Sequence, residues 1–144
     1  MRIERITALN NELFLAIQHL VPQLTANHPP PSRTEVELLI SSPGTVLLVA
    51  YHPDESSMIV GMASLIIYRV PTGVHARLED VIVEHPARSL GVGAALTQAA
   101  LHLARQAGAD GVALTSHPRR EAANHLYQKL GFKRWETNLY FYKF

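Results

Sequence analysis

Arg88-Ser89-Leu90-Gly91-Val92-Gly93 lies between an apolar run, Val81-Ile82-Val83, and an alanine-rich helical pattern beginning near Ala94. Two glycines at the mouth of a helix remove the side chains that would keep a ligand off the backbone. The helix start supplies unpaired N–H groups and the positive end of the helix dipole. With an arginine beside them, these features make an anion site suited to phosphate. Three phosphate-binding patterns compete. A dinucleotide loop wants Gly-x-Gly-x-x-Gly or Ala directly after a strand; here the third position is Leu96, and seven residues separate Val83 from Gly91. A nucleoside-triphosphate loop needs Gly-Lys-Ser or Gly-Lys-Thr, which the sequence lacks. The third pattern, Arg-x-x-Gly-x-Gly after a strand of an antiparallel sheet, fits at every position.

The elements that must position this loop follow from periodicity and punctuation. Arg2 to Thr7 alternates as a strand. Leu13, Ile17, Leu20 and Leu24 fall at helical spacing, with Asn10 or Asn11 as cap. Three consecutive prolines, Pro29 to Pro31, exclude helix, and Ser32 with Glu35 then forms a capping-box pattern for a short second helix carrying Val36, Leu39 and Ile40. Thr45 to His52, Met58 to Val70 and Val74 to Glu84 read as strands joined by turns at His52 to Ser57 and Pro71 to Gly73. Their short connections imply an antiparallel meander. Val92, Leu96, Ala99, Leu103 and Ala107 mark a helix face that Gly108 stops. Gly111 to Ser116 is a buried strand, and Pro118 to Leu130 an amphipathic helix with Ala122, Ala123, Leu126 and Leu130 inward. Phe132 to Phe144 gives one or two final strands. The expected fold is α/β (α+β): a mixed, mostly antiparallel sheet of six or seven strands flanked by about four helices.

The 144 residues, nearly half of them apolar, suit one domain over 1–144 with a single core. A formal net charge of +1 and the lack of a dense basic stripe argue against nucleic acid as a partner. With no cysteine, the chain has no disulfide, thiolate metal site or cysteine nucleophile. Its eight histidines show no metal-binding His-x-x-x-His or His-Glu-x-x-His spacing, so no metal is expected. No signal-peptide pattern or membrane-length apolar run is present, and a cytoplasmic location without membrane attachment is the expectation.

Taken in order, Glu79-Asp80-Val81-Ile82-Val83, the Arg88 to Gly93 loop, the strand Gly111 to Ser116 and Asn124-x-x-Tyr127-x-x-x-Gly131-Phe132 resemble the GNAT family of acyl-CoA-dependent N-acetyltransferases. The motifs lie in the C-terminal half; element order and length extend the resemblance to the whole chain. Two departures stand out: Ser89 where glycine is common, and the proline after the strand displaced to Pro86. The resemblance implies that acetyl-CoA is the cosubstrate and that two neighbouring parallel strands splay to admit it. Its pyrophosphate would rest on the backbone of Arg88, Ser89, Leu90, Gly91, Val92, Gly93 and Ala94. Its pantetheine arm would pair with Val81, Ile82 and Val83, and Asn124 would contact the same arm.

Acetyl transfer to an amine requires removal of a proton from an alkylammonium whose unperturbed pKa is about 10, donors for the oxyanion, and a proton for the leaving thiolate. By resemblance, Tyr127 is the acid. The resemblance also favours Glu79 as the base or amine-orienting group: alternation puts Glu79, Val81 and Val83 on one face and Asp80 and Ile82 on the other, so only one of the two acids can face the substrate. Some sugar-phosphate members of the family carry a similar Glu-Asp pair. The oxyanion donor would be a backbone N–H among Val81 to Val83. Arg119 and Arg120, in a first helical turn where positive charge opposes the dipole, suggest an acidic partner or two solvated side chains. His117 is a cap or a cleft residue. The aromatic stretch Asn138 to Phe144 is either an edge pairing with a second subunit in a homodimer or a core strand. The expected activity is direct acetyl transfer to an amine acceptor whose identity stays open. A coenzyme-binding sensor or interaction module on the same fold is the reading from another class.

Overall fold

The computed structural model describes residues 1–55 and 58–144; the end of the expected turn at 52–57 lies outside them. Five strands form one sheet in the order β1-β2-β3-β4-β5: β1 (Arg2–Ile6), β2 (Thr45–Tyr51), β3 (Ile59–Val70), β4 (Gly73–Val83) and β5 (Val112–Ala113). The first four pair antiparallel, β2 to β4 as their short connections require, and β5 joins β4 in parallel. Helices α1 (Asn11–Leu24) and α2 (Arg33–Ser41) precede β2. Helix α3 (Val92–Gln106) crosses from β4 to β5, and α4 (Glu121–Lys129) follows β5.

The sheet separates two cores. On one face Leu13, Ile17 and Leu20 of α1 and Val36 of α2 pack on Leu47, Val49, Met62 and Ile82. On the other, Val92, Leu96, Ala100 and Ala104 of α3 pack on Leu48, Ala63, Leu65 and Leu78. The α3 stripe is rotated from the expected one: Ala99 and Leu103 lie at its flank, and Ala107 is the exposed C-cap. Thr97 is also fully buried, its hydroxyl donating to the Gly93 carbonyl at 2.7 Å. Gly61 of β3 lets α3 sit close, since a Cβ there would lie 2.9 Å from both the Ile82 carbonyl oxygen and the Val92 side chain. The capping box at α2 forms in full: Ser32 accepts from the Glu35 N–H, and Glu35 accepts from the Ser32 N–H.

Three expectations need correction. The sheet has five strands, not six or seven, because residues 132–144 form none. A strand needs a neighbour for its N–H and C=O groups, and β5, two residues long, offers little edge. The expected strand Gly111 to Ser116 contracts to Val112–Ala113, held only through Ala76 and Arg77 of β4. Helix α4 has no fully buried residue: Ala123, Leu126 and Leu130 are half-buried and Ala122 is exposed.

Candidate active site

The centre of the site is a β-bulge. On β4, Glu79 pairs with Ser64 and Ile82 with Met62, so Asp80 and Val81 together oppose Ala63. Asp80 takes up the extra residue at φ 49°, a left-handed conformation that Asp tolerates better than most residues. Strict alternation therefore fails. Leu78, Val81 and Val83 share the α3 face, whereas Ile82 packs on the α1/α2 face. Glu79, in register with Ser64, falls on the α1/α2 face with Asp80. Both acids thus occupy one side of the sheet, contrary to the sequence expectation.

Their surroundings differ. The Arg77 guanidinium donates Nε–H to Glu79 Oε1 at 3.0 Å. Asp80 stands at the open rim of a cleft of about 310 Å³. The cleft is walled by Ile17, Val21, Leu24, Leu39 and Met62, with Ser64 and His28 as polar lining. Desolvation by these walls, then repulsion from Glu79, raises the Asp80 carboxyl above its ordinary pKa; Arg120 and His28 pull it back. His28, Pro29 and Pro31 bring the proline-rich connector to the cleft. Parity along the strand gives no sign that Asp80 shares the cleft side with Glu79, because one inserted residue reverses it. The signal available was the residue type, since a carboxylate or amide side chain tolerates positive φ.

Beyond Val83, a 3₁₀ turn at His85–Ala87 lengthens the connection and places Pro86 at its start. Arg88 folds back, donating Nε–H to the Val83 carbonyl at 3.3 Å. Ser89 has φ 65° and Gly91 φ 83°, so the departure at Ser89 falls where glycine is the easier residue. Gly91 is the N-cap of α3, with no side-chain cap and open space around its Cα. The first amides of α3, from Val92 to Ala94, are left for an external acceptor. Leu90 at the loop tip is exposed. Gly93 serves packing instead: a Cβ there would be 3.2 Å from Leu126 of α4. Beside the loop, β4 and β5 pair only at Ala76–Val112 and Arg77–Ala113 and then part. From Leu78 to Val83, the β4 edge toward β5 has no strand partner among the described residues.

Helix α4 supplies the remaining groups. Tyr127 is half-buried, its ring edge-on to Phe132 at 5.7 Å between centroids. Burial raises its hydroxyl above the ordinary 10.0, with Arg120 opposing the rise, so it keeps its proton at neutral pH. Arg120 therefore acts on both Asp80 and Tyr127, and it donates to the Leu24 carbonyl at 3.1 Å, joining α4 to α1. Asn124 donates to the carbonyls of His117 and Arg120, each at 2.9 Å, which fastens the loop before α4. His117 caps that loop, its Nδ1 accepting from the Arg119 N–H at 3.0 Å. No His, Asp or Glu cluster able to hold a metal occurs among the described residues, and no helix among them is long and apolar enough to cross a membrane.

Around β4 lie a glycine-started helix, an open strand edge and a cleft rimmed by Asp80. The chain belongs to the acetyltransferase (GNAT) family, whose model matches residues 13–132. Over 70 residues, 46% of this chain, it is 40% identical to the mycothiol acetyltransferase of Paenarthrobacter aurescens (strain TC1). That stretch spans 22% of the relative, about a fifth of its length. An acetyltransferase of Trypanosoma brucei aligns with a TM-score of 0.79 and 27% identity over 99% of both chains. A putative acetyltransferase from Agrobacterium tumefaciens str. C58 aligns at 0.84 with 21% identity, over 99% of this chain and 100% of the other. An aminoglycoside acetyltransferase from an uncultured soil metagenomic sample, in complex with trehalose, aligns at 0.83 with 20% identity, over 99% and 95%.

Proposed function

We propose that this chain, as a single domain, transfers an acetyl group from acetyl-CoA to a primary amine by direct attack, with Asp80 rather than Glu79 as the base. The observation that carries this reading is the bulge. It turns Asp80 into the cleft on the α1/α2 face and leaves the following β4 backbone free on the side toward β5.

The residues fit the coenzyme. Gly91 and Ser89 at positive φ shape a cradle over the uncapped start of α3, suited to a pyrophosphate. Arg88 lies beside it. The open edge from Leu78 to Val83 matches an extended amide-bearing arm, which can hydrogen-bond like a strand. The coenzyme, when bound, supplies a thioester whose carbonyl carbon is electrophilic.

The chain's own groups then divide the work. The apolar cleft holds the body of the acceptor. Asp80 takes the ammonium proton, exposing the nitrogen lone pair, and a β4 amide near Val81 holds the oxyanion as it forms. Tyr127 gives its proton to the thiolate as the C–S bond breaks, and the proton the nitrogen sheds on becoming an amide replaces it. Asn124 positions α4 rather than meeting the arm with its amide donors, both bonds of which go to the loop. Calorimetric titration tests the coenzyme part: acetyl-CoA is expected to bind, whereas NADH and ATP are not. Free-thiol release with a panel of amines tests the transfer. Failure of acetyl-CoA to bind overturns the reading.

A further inference from the structure

The cleft below Asp80 carries a distinct charge pattern. Its walls are aliphatic, and its polar lining among the described residues is Thr25, His28, Ser64 and Asp80. Asp80 is the only acid in that lining, and Glu79 on the same face of the sheet is held by Arg77. Across the rim the charge is positive. Arg120, the N-cap residue of α4, reaches over to donate to the carbonyl of Leu24, itself a wall of the cleft, at 3.1 Å. Its other guanidinium N–H groups have no acceptor among the described residues. Arg120 and His28 both draw the Asp80 carboxyl toward its charged form, yet neither makes an ion pair with it among the described residues. A gap therefore separates one carboxylate from a cationic pair, over an apolar floor.

We propose that the acceptor is a free α-amino acid with an apolar side chain, its ammonium at Asp80, its carboxylate at Arg120 and His28, and its side chain in the cleft. This rests on the reading of Asp80 as the base. An α-amino acid holds its two charges on one carbon, which suits an acid and a guanidinium that attract without touching. The donors that Leu24 leaves unused on Arg120 can take a carboxylate through charge-assisted bonds. The size agrees. At about 310 Å³ the cleft stands at the small end of ligand sites, which run roughly 300–1,000 Å³. That is room for one amino acid, not for an oligosaccharide. The charge disfavours polycations: several ammonium groups need several acids, and this rim sets one acid against an arginine and a histidine. The transfer step is that of the proposed function. The α-nitrogen bonds to the acetyl carbon as the thioester C–S bond breaks, Asp80 takes the ammonium proton, and Tyr127 protonates the thiolate. The product is an N-acetyl amino acid, with its carboxylate still on Arg120.

Thiol release from acetyl-CoA is followed with phenylalanine, leucine, serine, phenethylamine, phenylalaninamide, spermidine and kanamycin as acceptors. For phenylalanine and leucine, kcat/KM is expected to exceed that for phenethylamine and phenylalaninamide about 10–100-fold, the span of charge-assisted bonds to a carboxylate. Phenethylamine has the more basic amine and phenylalaninamide the less basic, so basicity cannot produce that order. Serine, which leaves the cleft unfilled, is expected to fall at least about tenfold below phenylalanine. Arg120→Gln is expected to erase the preference for phenylalanine over phenethylamine. Damage to α4 alone would slow both alike, and a preference kept in that variant overturns the proposal. Spermidine, kanamycin or phenylalaninamide as the best acceptor also overturns it, while direct acetyl transfer stands. Acetyl-CoA binding with no turnover of phenylalanine or leucine has the same meaning. Failure of acetyl-CoA to bind overturns the proposed function and this inference with it.

Discussion

Asp80 is held at a backbone angle that most residues avoid and at a protonation equilibrium shifted toward the acid. Both are costs that a functional group bears and a structural one need not. Its folded pKa is raised, so the stability it contributes is present at low pH and is lost as pH rises through that value. Asp80→Asn is therefore expected to leave the melting temperature at neutral pH unchanged or slightly higher while lowering kcat about 10²–10⁴-fold, the usual span for a general base. In the wild type, the acid limb of the rate profile should lie above the ordinary carboxylate range. In Asp80→Asn that limb should disappear, and a retained limb would move the base elsewhere. Glu79→Gln removes the partner of Arg77 and the charge that repels the Asp80 carboxylate, so it should leave the maximal rate nearly unaltered and move the acid limb to lower pH. Tyr127→Phe should lower kcat more than it weakens acetyl-CoA binding, as calorimetry beside initial rates would show. Residue types at the site were legible: the acids, the arginine, the glycines and the tyrosine were all candidates from the sequence. Which acid faces the cleft was not, because that depends on one residue of register.

Gly61 decides how closely α3 approaches the sheet, and Gly91 keeps the space at the start of α3 open. Gly61→Val would drive a side chain into the Ile82 carbonyl oxygen and the Val92 side chain. It is expected to destabilise the fold by about 1–3 kcal/mol and to weaken acetyl-CoA binding by shifting the start of α3, measurable by chemical denaturation and calorimetry. Gly91→Glu fills and charges the anion cradle, and loss of coenzyme binding without loss of fold is the expected result. Local chemistry made some elements easy to read. The Ser32–Glu35 box and the Asn10 cap formed as their residue types dictate, since a capping bond spans only three residues. The α3 stripe keeps Val92 and Leu96 but turns to Ala100 and Ala104 in place of Ala99 and Leu103, because an alanine-rich pattern marks no sharp face. The final strands could not be read from aromatic alternation alone, which describes a segment able to pair but not the partner it pairs with.

At the scale of the molecule, one sheet separates two helix layers, and that much followed from the order of hydrophobic periods along the chain. A ligand that joins β4 to the start of α3 should stabilise the whole. At a hundredfold excess over its Kd, acetyl-CoA should add about 2.7 kcal/mol, seen as a raised melting temperature that NADH does not produce. Asp80 and its cleft belong to the α1/α2 side, whereas the glycine cradle opens with α3, which packs on the other. On the proposed function, the amine and the coenzyme would arrive through separate doors and need not wait for each other to leave. Initial rates taken at several fixed amine concentrations should therefore give double-reciprocal lines that converge, and parallel lines would show that the acetyl group stops on the protein along the way.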